Sequence, residues 1–402
     1  MPHDPFTFNL RHLRAMGAIV RIGSLSAAAD EVGTTQPALT AAIAGLETRL
    51  GPLFVRERAG MAPTAAAATL AERVEEAYAH LAAGLGFGGP KARGFSKPER
   101  LLTTSQLRAL LALADEGSYV GAAQRTGLSE PALHRSVRDV ERLCGTALVQ
   151  RRGRGVALTA SGQSAARAFR LAASAIRSGL VELAALEDRD VPDRLIVGAM
   201  PLCRARLLPA AVAQLQATYP NTHVTIVEGA HRELIDQLRD GQIDMTIGAL
   251  RTPAPGPDVI QSPLLEDRLA IVARHGHPLA GPELPSRIEL ARHRWLVGLP
   301  GSPLRQHWET MFQGETKPLA PVDCGSVMVI RGLLASGDYL TLLSPEQVGI
   351  ELKTGMLALV GPPLADHVRT IGVTVRRDWK PTAAQQSFLE ALATLDQTVH
   401  QN

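Results

Sequence analysis

Apolar positions in the first half of the chain recur at helical spacing, interrupted by glycine. Leu107, Leu110, Leu111 and Ala114 predict an amphipathic helix capped by Ser105 and running to about Asp115. Gly117-Ser118 ends it and opens a short helix from Tyr119 to Arg125, where the small Ala122 and Ala123 allow close helix approach. Gly127 makes the next turn. Ser129 then caps a helix reaching about Cys144, with Pro131 in the first turn, where a missing N–H costs nothing. Its buried stripe is Leu133, Val137, Val140 and Leu143. Two short apolar pieces, Ala147-Leu148-Val149 and Val156-Ala157-Leu158, flank the basic loop from Gln150 to Gly155 and read as a β-wing. Two helices joined by a glycine turn, the second well capped, form a helix-turn-helix pattern.

The pattern occurs twice. Shifted by 94, residues 13–58 fall on 107–152. Leu13-Arg14-Ala15 meets Leu107-Arg108-Ala109, Gly23-Ser24 meets Gly117-Ser118, and Pro37-Ala38-Leu39 meets Pro131-Ala132-Leu133. Glu47, Gly51, Val55 and Arg58 meet Glu141, Gly145, Val149 and Arg152; with one residue inserted beyond them, Thr64 meets Thr159. Agreement over this length marks two copies of one unit.

Past Asp193 the period changes. Strands are expected at 194–199, 223–227 and 244–248, with helices at 207–218 and 232–240 between them. Alternating strand and helix implies a parallel sheet, which 269–272 and 295–297 are expected to continue.

The stretches Gly117-Ser118, Ala122-Ala123, Leu128 to Val137, Gly145 to Val149 and Leu158 to Gly162 closely resemble the winged helix-turn-helix of LysR-type transcriptional regulators. So do Gly23-Ser24-Leu25, Thr35 to Thr40, Leu46-Glu47 and Leu53-Phe54. Asp240-Gly241-Gln242-Ile243-Asp244 and His277-Pro278-Leu279-Ala280 extend the likeness toward the C-terminus, nearest the subgroup of the galactose-binding-protein regulator. The resemblance implies a multidomain chain: two all-α-rich winged helix-turn-helix domains, then an α/β two-lobed effector domain like the type 2 periplasmic binding proteins. The expected divisions are 6–83 for the first reader, 84–98 for a flexible linker, 99–162 for the second reader, 163–190 for a linker and dimerisation helix, and 191–398 for the effector domain. The family normally carries one reader. The resemblance also implies a cytoplasmic homodimer or homotetramer that binds double-stranded DNA at a pseudo-palindromic site, responds to a small-molecule effector and meets RNA polymerase.

Charge separates the two readers. Residues 1–90 hold seven arginines and no lysine against eight acids, whereas residues 91–165 hold twelve basic residues against six acids. A compact basic segment is the electrostatic footprint of phosphate binding. In the second reader Ser129, Glu130, Pro131, His134, Arg135 and Arg138 start the recognition helix, and Arg151, Arg152 and Arg154 arm the wing. Arginine can grip guanine or phosphate in bidentate fashion. Glu130 replaces the glutamine usual in the family, so cytosine N4 is a possible partner and phosphate is repelled. The first reader offers Gln36 and Thr40, but alanines 41, 42 and 44 stand where the second has Arg135, Ser136 and Arg138, and its wing, Arg56-Glu57-Arg58, is half neutralised. The second copy is therefore expected to be the main reader.

Leu70, Val74, Ala77 and Leu81 share a face of a helix from Ala65. Phe169, Ile176 and Leu183 recur every seven residues along 163–186, which suits a two-helix seam. By family position that seam joins two subunits; ordinary packing within one subunit is the alternative. Effector contacts are expected at Met200, Pro201 and Leu202 after the first strand, and at Ser302, Ser326 and Val327 before two helices. Both serines also fit plain N-caps. Met200-Pro201 stands where many relatives have Ser or Thr, which favours an apolar or neutral effector over a small carboxylate.

Little else competes. Cys144, Cys203 and Cys324 are too scattered for a disulfide framework, and His275 with His277 lacks a third metal ligand. No metal or cofactor is expected, no phosphate-binding or nucleophile motif appears, and neither a signal peptide nor a membrane span is seen. A solute-binding protein would share the C-terminal fold but not the readers; an enzyme has no motif behind it.

Overall fold

The computed structural model describes residues 4–57, 60–85, 97–153, 155–187, 192–200, 203, 205–314 and 317–399. The chain forms two compact units. The first comprises Met1–Arg194 with Arg239–Gln242 and Lys380–Ala383, and the second comprises the rest.

In the first unit, a 3-10 turn (Pro5–Thr7) precedes α1 (Leu10–Ile22), α2 (Leu25–Val32), α3 (Gln36–Leu50), the hairpin β1 (Phe54–Glu57) and β2 (Gly60–Pro63), and α4 (Ala65–Leu85). The order then repeats. A 3-10 turn (Pro98–Leu101) precedes α5 (Thr104–Glu116), α6 (Tyr119–Thr126), α7 (Glu130–Cys144), the hairpin β3 (Val149–Arg152) and β4 (Gly155–Leu158), and α8 (Ala160–Leu186). Each segment thus carries a two-stranded wing and is not wholly helical. The glycine stops are stereochemical: Gly117 and Gly127 close α5 and α6 at φ +63° and +71°, a region that favours glycine.

Three sequence expectations change here. The cap of α5 is Thr103, which forms a capping box with Gln106, and Ser105 lies inside the first turn. Ser129 occupies the N-cap of α7 without a side-chain capping bond. The extra residue of the second segment falls before the wing. Glu47 Oε1 accepts from the N–H groups of Leu53 and Phe54, and Glu141 Oε1 from those of Leu148 and Val149. Leu53 therefore corresponds to Leu148, and Arg56 to Arg151. The helices on either side concealed this, because a gap on either side of a four-residue strand matches nearly as many residues.

Gly84 and Leu85, expected in the linker, complete α4; residues 86–96 lie outside the described residues. The seam is the main correction. Phe169, Ile176 and Leu183 are buried in one core with Leu70, Val74, Ala77 and Leu81 of α4 in the same chain. The heptad spacing correctly marks a helix-pairing face, but α4 fills the place expected for a second subunit. Arg73 bridges the two helices, its Nε donating to Glu182 Oε2 at 3.0 Å.

The second unit runs β5 (Arg194–Ala199), α9 (Leu207–Thr218), β6 (His223–Glu228), α10 (His231–Arg239), β7 (Met245–Ala249), β8 (Val259–Arg268), β9 (Ala270–Arg274), α11 (Arg287–Ala291), β10 (Arg294–Val297), α12 (Pro303–Met311), β11 (Val322–Asp323), α13 (Val327–Ser336), β12 (Tyr339–Leu343), α14 (Gly349–Lys353), β13 (Leu357–Leu359), β14 (Val368–Arg376) and α15 (Ala383–Val399). Two five-stranded sheets result, in the orders β6-β5-β7-β14-β8 and β11-β10-β12-β9-β13. The pieces 269–272 and 295–297 do not continue the first sheet; they supply β9 and β10 of the second, where β9 runs antiparallel to β12 and β13. β14 likewise runs antiparallel to β7 and β8. A fully buried strand is a continuous apolar run in either direction, so its composition does not reveal its partner. Phe388 of α15 is buried in the first lobe, and Trp295, Trp308 and Phe312 fill the second.

Candidate nucleic-acid interface and ligand cleft

The α7 helix buries Leu133, Val137, Val140 and Cys144. That stripe turns Ser129, Glu130, Pro131, His134, Arg135 and Arg138 outward, all of them exposed. Arg151 and Arg152 on β3 are exposed as well. Neighbouring arginines are already paired: Arg125 with Asp115, Arg142 with Asp139, and Arg170 with Asp115. None of the described ion pairs engages Arg135, Arg138, Arg151 or Arg152, so their guanidinium donors remain available to phosphate or base edges. Arg154 lies outside the described residues.

Sequence reasoning overlooked one residue of this face. Tyr119 stacks on His134, ring centroids 3.6 Å apart at 20°, which fixes the imidazole plane and leaves its edge outward. Burial pushes the Tyr119 hydroxyl pKa up, and Glu141 adds to the rise. An aromatic residue at the start of α6, one turn across from α7, was the available signal.

The matching face of α3 is chemically poorer. Gln36 and Thr40 are exposed, but the Thr40 hydroxyl donates to Gln36 O at 2.9 Å. Ala41 and Ala44 occupy the outward positions held by Arg135 and Arg138, whereas Ala42 is buried, so that third alanine faces the core. In the wing Arg56 is exposed, and the side chain of Glu57 and residues 58 and 59 lie outside the described residues.

In the second unit β10 and β11 are parallel neighbours, and each leads to one of the expected serines. Ser302 Oγ accepts from Arg305 N at 3.3 Å, and Ser326 Oγ from Val329 N at 3.5 Å, so both are N-caps. The two turns meet, because a Cβ on Gly325 would lie 3.2 Å from Leu299 Cδ1. Val327 packs into the lobe core, while Leu299, Met328 and Val329 project into solvent beside the caps. In the other lobe Met200 folds over Gly248, where an added Cβ would meet its Sδ at 2.5 Å. Pro201 and Leu202 lie outside the described residues. A separate cavity of about 790 Å³ is lined by Arg206, Leu264, Glu266, Asp267, Arg268 and Glu346 among others, and by none of the expected effector residues. At its wall Asp267 binds Arg369 and accepts from Ser344 Oγ at 2.5 Å.

Two domain patterns account for most of the chain. The lysR-family bacterial regulatory helix-turn-helix matches residues 10–68 and 104–163, and the LysR substrate binding domain matches residues 188–396. The chain belongs to the LysR family of transcriptional regulators.

As a LysR regulator it combines DNA-binding and effector-binding domains. It is 31% identical over 373 residues to the HTH-type transcriptional regulator GalR of Pseudomonas putida, across 92% of each chain. It is 26% identical over 288 residues to the regulator PcaQ of Agrobacterium fabrum, across 71% of this chain and 92% of that one. A cysteine-to-aspartate variant of full-length OxyR from Pseudomonas aeruginosa has the same fold at a TM-score of 0.56 and 24% identity, across 72% of this chain and 97% of that one. CbnR, another LysR-family structure, aligns at 0.52 and 18%, across 72% of this chain and 98% of that one. These last three matches take in nearly the whole relative but leave more than a quarter of this chain unmatched, whereas the match to GalR leaves little of either. No helix among the described residues is long and apolar enough to cross a membrane.

Proposed function

We propose that the LysR-family helix-turn-helix occurs as two copies in this chain and that the second, residues 99–162, is the main DNA reader. The carrying observation is the contrast between two equivalent helices: Arg135 and Arg138 are exposed and unpaired on α7, where α3 presents Ala41 and Ala44. Arg151 and Arg152 add phosphate contacts from the wing. The first copy contributes Gln36 and a weaker phosphate grip. A small apolar or neutral molecule binds in the C-terminal unit, near the Ser302 and Ser326 caps with Leu299 and Met328 beside them, and alters transcription through contacts with RNA polymerase. The regulator works in the cytoplasm, and oligomers form through surfaces other than the α8 seam, which α4 already occupies.

Footprinting on the protein's own promoter region tests the ranking. Arg135→Ala/Arg138→Ala abolishes protection, and Gln36→Ala/Thr40→Ala only trims it. Equal loss from both pairs refutes the ranking. No retarded complex at any salt concentration refutes DNA binding at this promoter.

A further inference from the structure

The α4–α8 seam has an internal symmetry. A Cβ on Gly84 of α4 would lie 2.1 Å from Ala168 Cβ on α8. A Cβ on Gly179 of α8 would lie 2.8 Å from Arg73 Cβ on α4. Advancing 95 residues, the offset that carries the start of α4 onto the start of α8, takes Gly84 to Gly179 and Arg73 to Ala168. The two contacts are thus one contact made twice with the helices exchanged. The late part of α4 meets the early part of α8, and the reverse, so the helices are antiparallel. Between the contacts lie the buried Ala77 and its counterpart Ala172.

An antiparallel pair whose equivalent residues exchange contacts has a local two-fold axis across it. The segments before each reader follow the same exchange. Phe8 and Leu102, 94 residues apart, are both buried in the shared core. Phe8 O accepts from Thr104 Oγ1 at the start of α5 at 2.6 Å, so the segment that leads into the first helix-turn-helix docks on the second, both within the first unit.

We infer that one chain carries a complete two-fold pair of DNA readers, α3 and α7, and that a single protomer spans two adjacent half-sites. This rests on the DNA-binding reading above. It replaces a palindrome with an asymmetric site, because the paired helices differ: arginine-rich α7 demands its bases, and alanine-rich α3 chiefly follows backbone. In symmetric helix-turn-helix dimers the half-sites lie about one helical turn, roughly 34–36 Å, apart, and the same spacing is expected within one chain.

Tethered cleavage on the full chain decides the matter. In a Cys324→Ser background, an iron–EDTA probe is attached through Val55→Cys on the first wing or through Gln150→Cys on the second; both positions are exposed. Each probe is expected to cut on one side of a site, the two cuts falling in different half-sites whose centres lie about 10 base pairs apart. On the Gln150 side one mismatched base pair is expected to weaken binding roughly 5- to 150-fold, and the Val55 side tolerates change better. If the Gln150 probe cuts both sides of a site and the Val55 probe cuts neither, readers from two chains are paired and the inference falls while DNA binding stands. If the unmodified protein forms no complex at low salt, the DNA-binding reading itself fails.

Discussion

Asp115 and Arg170 form an ion pair of 2.6 Å between α5 and α8, and their counterparts in the first segment, Arg21 and Glu75, approach to 4.0 Å with the charges exchanged. The third members follow suit: Arg125 pairs with Asp115 at 2.8 Å, and Glu31 with Arg21 at 2.6 Å. Each segment has its short helices clipped to its own long helix at the same positions with opposite polarity. Docking α5 and α6 on the wrong long helix would set Asp115 against Glu75. These pairs are partly exposed, so each is worth at most about 1 kcal/mol. Asp115→Arg places three arginines together and is expected to lower the thermal midpoint of the first unit. Adding Arg125→Glu and Arg170→Glu restores it. A midpoint unmoved by Asp115→Arg, followed by helical circular dichroism, would rule out this clip.

Much of this was legible because backbone rules left few choices. Gly23, Gly33, Gly117 and Gly127 all take positive φ where the sequence places helix ends. The helix over Leu207–Thr218 and the strand over Arg194–Ala199 fall where periodicity puts them. What could not be read was partnership. The stripe of Phe169, Ile176 and Leu183 asks for an apolar neighbour without saying whose. The strands β9 and β14 show burial, not direction. Among the site residues, the exposure of Arg135 and Arg138 follows from helical phase. The Tyr119–His134 stack depends on the angle between α6 and α7, which no local pattern encodes.

Salt dependence separates wing from helix. Arg151 and Arg152 are exposed arginines at a hairpin edge, suited to phosphate rather than base contact. Arg151→Ala/Arg152→Ala is expected to weaken all sequences alike and to flatten the plot of log affinity against log salt by about 1 per lost contact. Removing Arg135 should instead cost about 1–3 kcal/mol at the cognate site and relax discrimination there. Binding measured on cognate and scrambled DNA at several salt concentrations checks both; an unchanged slope in the wing variant contradicts the phosphate assignment.

Packing at the seam is testable by exchanging its smallest residue. Gly84→Ala puts a methyl against the Ala168 methyl on α8, and the helices must part. The expected loss is about 1–3 kcal/mol, as for other overpacked cores. Ala168→Gly in the same chain removes the opposing methyl and recovers most of it. Thermal unfolding of the two single variants and the double variant measures the coupling. Additive losses would mean that the two residues do not touch.

The three thiols should differ sharply. Burial, with Glu141 adding to it, pushes Cys144 up to about 11, and Cys203 is also buried. A thiol with so high a pKa is almost wholly protonated near neutrality, and the thiolate is the nucleophile. Cys324 is partly exposed. A thiol-specific chromophore at about pH 8, near the ordinary cysteine pKa, should therefore label one cysteine quickly and all three only after unfolding. Cys324→Ser removes the fast phase. A fast phase that survives this substitution would show that a buried cysteine is reached in the native protein.

Acid should weaken the second unit through His307 and His367, whose Nδ1 atoms lie 3.1 Å apart. One ring must donate and the other accept, so the accepting ring must be neutral and the contact fails once both rings are protonated. Burial pushes His307 down, and His367 and Arg369 push it further, against Asp267. Burial also lowers His367; Asp366 opposes this and Arg287 assists. With folded values below the unfolded value of about 6.5, the unfolded chain binds more protons as pH falls through that value, so stability declines from there downward. The loss levels off only below the folded values. Tryptophan fluorescence isolates the effect, because Trp295, Trp308 and Trp379 all lie in the second unit. Between about pH 7.5 and 5.5, a window that brackets the histidine midpoint, the unfolding midpoint should fall in the native protein and fall less in His307→Gln/His367→Gln. Equal declines in the two proteins would place the acid sensitivity in other groups.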